Sequence, residues 1–168
     1  MDKKKWIIVG VFVVALLLVA VVRGGFFSSS EPEYTYWEPA LSPDGSMLVY
    51  ESSAEASLEL FTLDLSSQIE TQLTDNGDAD WSPVWSPDGN QVAFSSSRDG
   101  NVDIYMLELG SLETVRLTSD LGDDINPSWG GDGLIYFNSN RSDTWEAYSI
   151  DPASLVLRKL TSLDASTP

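Results

Sequence analysis

"DWSPVWSPDGNQVAF", residues Asp80 to Phe94, contains Trp-Ser-Pro twice within seven residues. The two copies are not equivalent. The first, Trp81 to Pro83, runs into Val84-Trp85, and the second, Trp85 to Pro87, runs into Asp88-Gly89. Forty-four residues earlier the chain reads Trp37-Glu38-Pro39-Ala40-Leu41-Ser42-Pro43-Asp44-Gly45, and forty-four later Ile125-Asn126-Pro127-Ser128-Trp129-Gly130-Gly131-Asp132-Gly133. One frame fits all three: an aromatic residue or Ile, any residue, Pro, a small residue or Val, Trp or Leu, two residues, then Asp-Gly. Self-similarity at a fixed period marks a repeat architecture, so the echo is two slots of one repeat.

Each repeat continues in the same way. After Asp88-Gly89 the run Gln91 to Ser97 predicts a strand, and Arg98-Asp99-Gly100-Asn101 predicts a hairpin turn because Asp-Gly accepts positive φ. Val102 to Leu109, rich in β-forming residues, predicts a second strand, and Thr114 to Thr118 a third. Repeat one supplies Met47 to Glu51, Leu58 to Leu63 and Gln72 to Thr74; repeat three supplies Leu134 to Asn138, Trp145 to Ile150 and Lys159 to Thr161. Leu-Thr recurs at 73, 117 and 160, so the second interval is one residue shorter. The deletion falls just after Gly133, in a turn, where a lost residue costs least.

A period of this length holding several short strands predicts propeller blades. The residues resemble the PD40, or WD40-like, repeat of the TolB family: Pro83-Val84-Trp85-Ser86-Pro87-Asp88-Gly89, Val92-Ala93-Phe94, Ser97-Arg98-Asp99-Gly100, Asp103-Ile104-Tyr105 and Arg116-Leu117-Thr118. The middle copy is the close match; the first has Leu41 in the Trp slot, and the third has Gly130-Gly131 in place of Ser-Pro. The resemblance implies an all-β fold, a partial propeller of three blades. Such blades occur in envelope scaffolds, in the gating propellers of prolyl peptidases and in uncharacterised surface proteins. In a blade both faces of the inner strands are buried, which accounts for unalternating apolar runs such as Val92-Ala93-Phe94. Trp85 and Trp129 are expected to wedge between blades, and Trp37, Trp81 and Ile125 to occupy equivalent places. Pro39, Pro83 and Pro127, with Asp44-Gly45, Asp88-Gly89 and Asp132-Gly133, complete the structural frame.

Closed propellers have at least four blades. Three leave two terminal faces and open strand edges, which are liabilities for a lone protein. A second copy, giving three plus three blades, or a larger partner is therefore expected to cover them.

Residues 6–22, WIIVGVFVVALLLVAVV, carry no charge, and at 1.5 Å per residue they approach the thickness of a thin hydrocarbon core. The stretch exceeds a signal-peptide core and no Ala-x-Ala follows it, so a retained transmembrane helix over 6–23 is expected. Lys3, Lys4 and Lys5 precede the span and only Arg23 follows it, which places residues 1–5 in the cytoplasm and the rest outside an inner or plasma membrane. Residues 24–36, with Gly, Ser and Pro, read as a tether. The blades then occupy about 37–80, 81–124 and 125–161, with a tail at 162–168.

The 168-residue chain has net charge −17 and neither Cys nor His. That excludes disulfides, thiolate nucleophiles, lipid attachment at Cys and the usual general base. Twenty-five of the twenty-six acids and five of the nine bases follow residue 23, so the external part stands near −20. Such a field repels nucleic acid and attracts cations or basic proteins, a small soluble cytochrome being one type of partner; an acidic surface also serves simply to be solvated.

Asp75, Asn76, Asp78 and Asp80 form the one metal candidate, since clustered carboxylates and an amide on a Gly-bearing loop suit Ca²⁺. The loop departs from the EF-hand frame, with Gly77 third and Ser86 twelfth. Its counterpart, Asp120-Leu121-Gly122-Asp123-Asp124, is also acidic, as a shared solvated loop would be. Glycoside hydrolysis needs only two carboxylates, yet no pair of acids with a sugar-binding aromatic stands outside the repeat frame. No Gly-x-Ser-x-Gly elbow is present. The reading is a non-catalytic, membrane-anchored extracytoplasmic subunit packing on a larger membrane complex, photosynthetic or respiratory; the alternative is a TolB-like envelope module recruiting a soluble or cell-wall partner.

Overall fold

Each Asp-Gly pair closes a tight turn between two strands, with Gly45, Gly89 and Gly133 at φ of 75°, 74° and 85°, where a side chain would be strained. The computed structural model describes residues 36–53 and 57–161. Strands β1 (Tyr36–Leu41), β2 (Met47–Ser52), β3 (Glu59–Asp64) and β4 (Glu70–Gln72) form the first sheet. The second holds β5 (Asp80–Trp85), β6 (Gln91–Ser96), β7 (Asp103–Glu108) and β8 (Thr114–Arg116). The third holds β9 (Asp124–Trp129), β10 (Ile135–Ser139), β11 (Glu146–Ile150) and β12 (Leu157–Lys159). All three are antiparallel meanders in chain order. β1 opens at Tyr36, inside the stretch read as a tether, because Tyr36 pairs with Ser52. The span expected over 6–23 and the tail 162–168 lie outside the described residues. Among the described residues no helix is long and apolar enough to cross a membrane.

The shared prolines sit where the inner strand of each sheet bulges. Trp37 pairs with Glu51 and Ala40 with Val49; Trp81 pairs with Ser95 and Val84 with Ala93; Ile125 pairs with Asn138 and Ser128 with Tyr136. Each bulge therefore contains its proline, Pro39, Pro83 or Pro127, at a place where the missing N–H costs no ladder bond. The residue before proline takes positive φ at Ser82 (52°) and Asn126 (57°). Their freed N–H groups are captured by the preceding sheet: Ser82 N donates to Glu51 Oε2 at 2.7 Å, and Asn126 N to Ser95 Oγ at 3.1 Å.

Burial arises by stacking sheet on sheet. Val49, Leu60 and Leu73 of the first sheet pack with Trp85, Val92, Phe94, Tyr105 and Leu107 of the second. Ala93, Ile104 and Leu117 of the second pack with Ile135, Phe137, Tyr148 and Ile150 of the third, with Trp129 alongside. Trp85 is the wedge at the first junction, and its Nε1 donates to Ala40 O at 2.9 Å. Two backbone bonds repeat the stitch, Asp80 N to Leu58 O at 2.8 Å and Asp124 N to Val102 O at 2.7 Å. Leu41 stands in the Trp slot of the first sheet and is 43 % exposed.

The departure at Gly130 carries its own compensation. In the first two turns Ser42 Oγ and Ser86 Oγ donate to Asp44 and Asp88 at 2.6 Å. The third lacks the serine, and a Cβ at Gly130 would meet Asp132 Oδ1 at 2.4 Å and the Tyr136 ring at 2.7 Å. Tyr136 OH instead donates to Asp132 Oδ2 at 2.7 Å, so the turn keeps a hydroxyl donor from a different residue.

Candidate functional site

The polar chemistry of the described chain is concentrated at one end of the sheets, where acidic residues open strands and are sealed from water. Asp80, Asp103 and Asp124 are fully buried, and Glu59 and Glu146 nearly so. A carboxylate in that position needs a partner, because an unpaired buried charge costs several kcal/mol. The second and third sheets supply one from the residue two places after a strand-terminal serine. Arg98 donates from Nε to Ser96 Oγ (2.8 Å) and from Nη2 to Asp80 Oδ2 (2.7 Å). Arg141 repeats this with Ser139 Oγ (2.8 Å) and both oxygens of Asp124 (2.9 and 2.8 Å), and also reaches Asp120 at 2.6 Å. Each guanidinium lies over a stacked ring pair. Arg98 Cζ is 5.4 Å from the Phe94 centroid and 4.6 Å from Tyr105; Arg141 Cζ is 5.8 Å from Phe137 and 4.6 Å from Tyr148. Cation–π attraction thus adds to the ion pair in a partly desolvated place.

A second cation meets the acid that opens each third strand. Arg116 pairs with Asp103 at 2.5 Å, and Lys159 with Glu146 at 2.6 Å. Burial pushes the Asp103 carboxyl above the usual carboxylate range, and the Arg116 guanidinium and Thr118 hydroxyl work against that rise. The Arg and Asp positions were legible as repeat frame. Their pairing was missed; the available signal is the Ser-x-Arg spacing at 96–98 and 139–141.

The loop read as a Ca²⁺ candidate is drawn into this scheme. Asn76 Nδ2 donates to Asp80 Oδ2 at 2.7 Å, and Asp78 N to Asn76 Oδ1 at 3.0 Å, while Asp75 and Asp78 remain exposed. Arg98 already meets the Asp80 charge, which leaves the loop short of the six to eight oxygens Ca²⁺ takes. Among the described residues no group of three or more acidic side chains is gathered to hold a metal. Between the second and third sheets lies a cavity of about 240 Å³ lined by Leu117, Thr118, Asp120, Arg141, Ile150 and Leu155, below the ~300–1,000 Å³ usual for ligand pockets.

At the opposite end of the sheets, exposed acids are held by their own turns. The Asp44 carboxyl is lowered from 3.8 to about 2, chiefly by the Ser42 hydroxyl and then by Ser46. Asp64 is also lowered to about 2, first by the Ser67 backbone and then by Ser66. Depressed folded values mean that these groups stabilise the fold above the unfolded value, with the contribution lost as pH falls from about 4 to about 2. The Asp44→Asn/Asp64→Asn variant is expected to be less stable than the parent at pH 7 and to show a flatter stability curve between pH 4 and 2. Parallel acid-unfolding curves for the two proteins would contradict the assignment.

Four-stranded antiparallel meanders stacked face to face, each with its bulged strand toward its neighbours, define a partial β-propeller. A family profile described as the TolB β-propeller domain matches residues 38–167, and the chain belongs to that family. Solved structures agree on the fold. TolB from Acinetobacter baumannii is 28 % identical with a TM-score of 0.69, covering 82 % of this chain and 34 % of that one. A puromycin-hydrolyzing peptidase of Mycobacterium tuberculosis is 16 % identical with a TM-score of 0.66, over 76 % of this chain and 22 % of that one. An oligogalacturonate lyase from Vibrio parahaemolyticus is 14 % identical with a TM-score of 0.63, over 80 % and 45 %. The chain spans less than half the length of each. No curated protein matches the sequence.

Proposed function

We propose that this chain is a non-catalytic, TolB-like protein-binding module of the cell envelope, anchored by residues 6–23 with its blades outside the membrane. The partner is a larger membrane complex on whose outer face the blades pack. The observation that carries the reading is the free face of the third blade. A position that is buried at the two internal junctions recurs there in the open: Leu160, equivalent to buried Leu73 and Leu117, is 49 % exposed, and Trp145, equivalent to half-buried Leu58 and Val102, is 52 % exposed. Tyr136 lies beside them, and Ser128 and Asn138 are exposed on the same face. An aromatic and aliphatic surface rimmed by amides and hydroxyls suits protein contact. The arginine and carboxylate chemistry described above is spent within the second and third blades and on the connection between them, and the chain has no His or Cys to add to it.

Topology is tested first. A Ser30→Cys variant is expected to react with a membrane-impermeant thiol reagent on cells or spheroplasts stripped of any outer membrane. Labelling only after lysis would place the blades in the cytoplasm and end the envelope reading.

A further inference from the structure

The two end faces of the stack differ, and the internal junctions show how. On the side of β2 and β3 turned away from the second sheet stand Leu48, Tyr50, Phe61 and Leu63, while Val49 and Leu60, one place along, point into the first junction. The same row is Val92, Phe94, Tyr105 and Leu107 in the second sheet, covered by the first, and Ile135, Phe137, Tyr148 and Ile150 in the third, covered by the second. Among the described residues no sheet precedes the first. Its row is nevertheless as dry as the others, with Leu48, Tyr50, Phe61 and Leu63 at 3, 2, 6 and 1 % exposure against 0–5 % at the junctions. Ser52 and Glu59, in the polar row at one end of the same side, are sealed as well.

An open end looks different. On the far side of the third sheet Leu160 is half-exposed, and Ser128 and Asn138 are exposed. The composition has shifted too: Ser128, Ala147 and Ser149 replace Val84, Ile104 and Met106, the residues that the second sheet presents to the third. A terminal repeat that faces water carries such a polar outer side. The first sheet keeps the full apolar row of an internal junction, so its outer side is built to be covered.

We propose that residues 24–35 lie across this side of the first blade as a strap, with Phe26, Phe27 and Tyr34 taking the place of a preceding blade. The inference rests on the envelope reading above, in which the membrane takes 6–23 and this segment joins the span to β1. Twelve residues reach about 40 Å when extended, and a four-stranded sheet is about 15 Å across, so the segment crosses the row with chain to spare. Its aromatics suit what they cover, since ring against ring and ring against aliphatic is the packing of both internal junctions. The strap closes the first blade and directs the partner to the third. A closed ring of three plus three blades is then disfavoured, because each of its seams needs the first blade's side bare.

The chain has no cysteine, so single-cysteine variants of the full-length protein in detergent report each face through the rate of thiol labelling. Leu63→Cys is expected to label about a hundredfold more slowly than Ser128→Cys on the open face. Adding Phe26→Ser and Phe27→Ser is expected to speed Leu63→Cys about tenfold and to leave Ser128→Cys unchanged. Leu107→Cys, the same slot inside the first junction, is expected to stay protected under that substitution, and Phe26→Leu with Phe27→Leu, which keeps an apolar cover, to preserve protection at both. Loss of protection at Leu63→Cys and Leu107→Cys together would show a general loosening and overturn the proposal. So would protection of Leu63→Cys that ignores both phenylalanines, or that falls on dilution, which would assign the cover to a second copy. Protection relieved instead by Leu16→Ser with Leu18→Ser would assign the cover to the 6–23 segment and overturn the anchored reading along with the strap.

Discussion

Replacing Trp85 with Ala is expected to cost about 3–5 kcal/mol of stability, the range for deleting a large buried aromatic side chain. Trp85 is 8 % exposed and belongs to the cluster that joins the first blade to the second. Its ring fills that seam, and its Nε1 satisfies the Ala40 carbonyl at the bulged strand of the preceding blade. Truncation therefore opens a cavity and leaves an acceptor unpaired. Trp129, the same slot one repeat later, is only partly buried at its own junction, so Trp129→Ala is expected to cost less. Urea denaturation of the three proteins measures this as a shift in midpoint, with an unchanged slope showing that the folded state remains compact. Equal losses for both tryptophans would mean that depth of burial does not set the cost.

Arg141→Met is expected to cost a comparable 3–5 kcal/mol, roughly the penalty for leaving one member of a buried ion pair alone. Asp124 is fully buried, Arg141 contacts both of its oxygens, and the same guanidinium ties in Ser139 and Asp120. Methionine keeps much of the side-chain volume, so the loss reports the charge. The Asp124→Asn/Arg141→Met double variant is expected to recover a large part of it, since no uncompensated carboxylate is left inside. A double variant as unstable as Arg141→Met alone would show that packing of the arginine stem over Phe137 and Tyr148 carries the effect instead.

The blade frame was legible because its residues answer to local rules. Asp-Gly at 44–45, 88–89 and 132–133 announces positive φ, so the turns and the three strands that follow them could be read; the fourth strand of each blade, β1, β5 or β9, was not, because proline argues against a strand and only the bulge at Pro39, Pro83 or Pro127 lets it pair. The polar row was not legible in the same way. Asp80 looked like a loop carboxylate beside Asp75 and Asp78, and nothing in its neighbours says that it points inward to Arg98, eighteen residues further on. Pairing of that kind is decided by which face of the sheet a residue occupies, and a shift of one residue would have reversed it. Tyr136 taking over the hydroxyl of the lost serine is likewise visible only once the turn and the strand lie side by side. The span over 6–23 rests on apolar length and flanking charge.

Purification of the full-length protein from its native membrane in mild detergent, followed by mass determination of what travels with it, tests the central claim most directly. The account predicts migration with a larger assembly from which the chain separates only when the complex is disrupted. A monodisperse 18.4 kDa monomer in detergent, stable without partners, would contradict it.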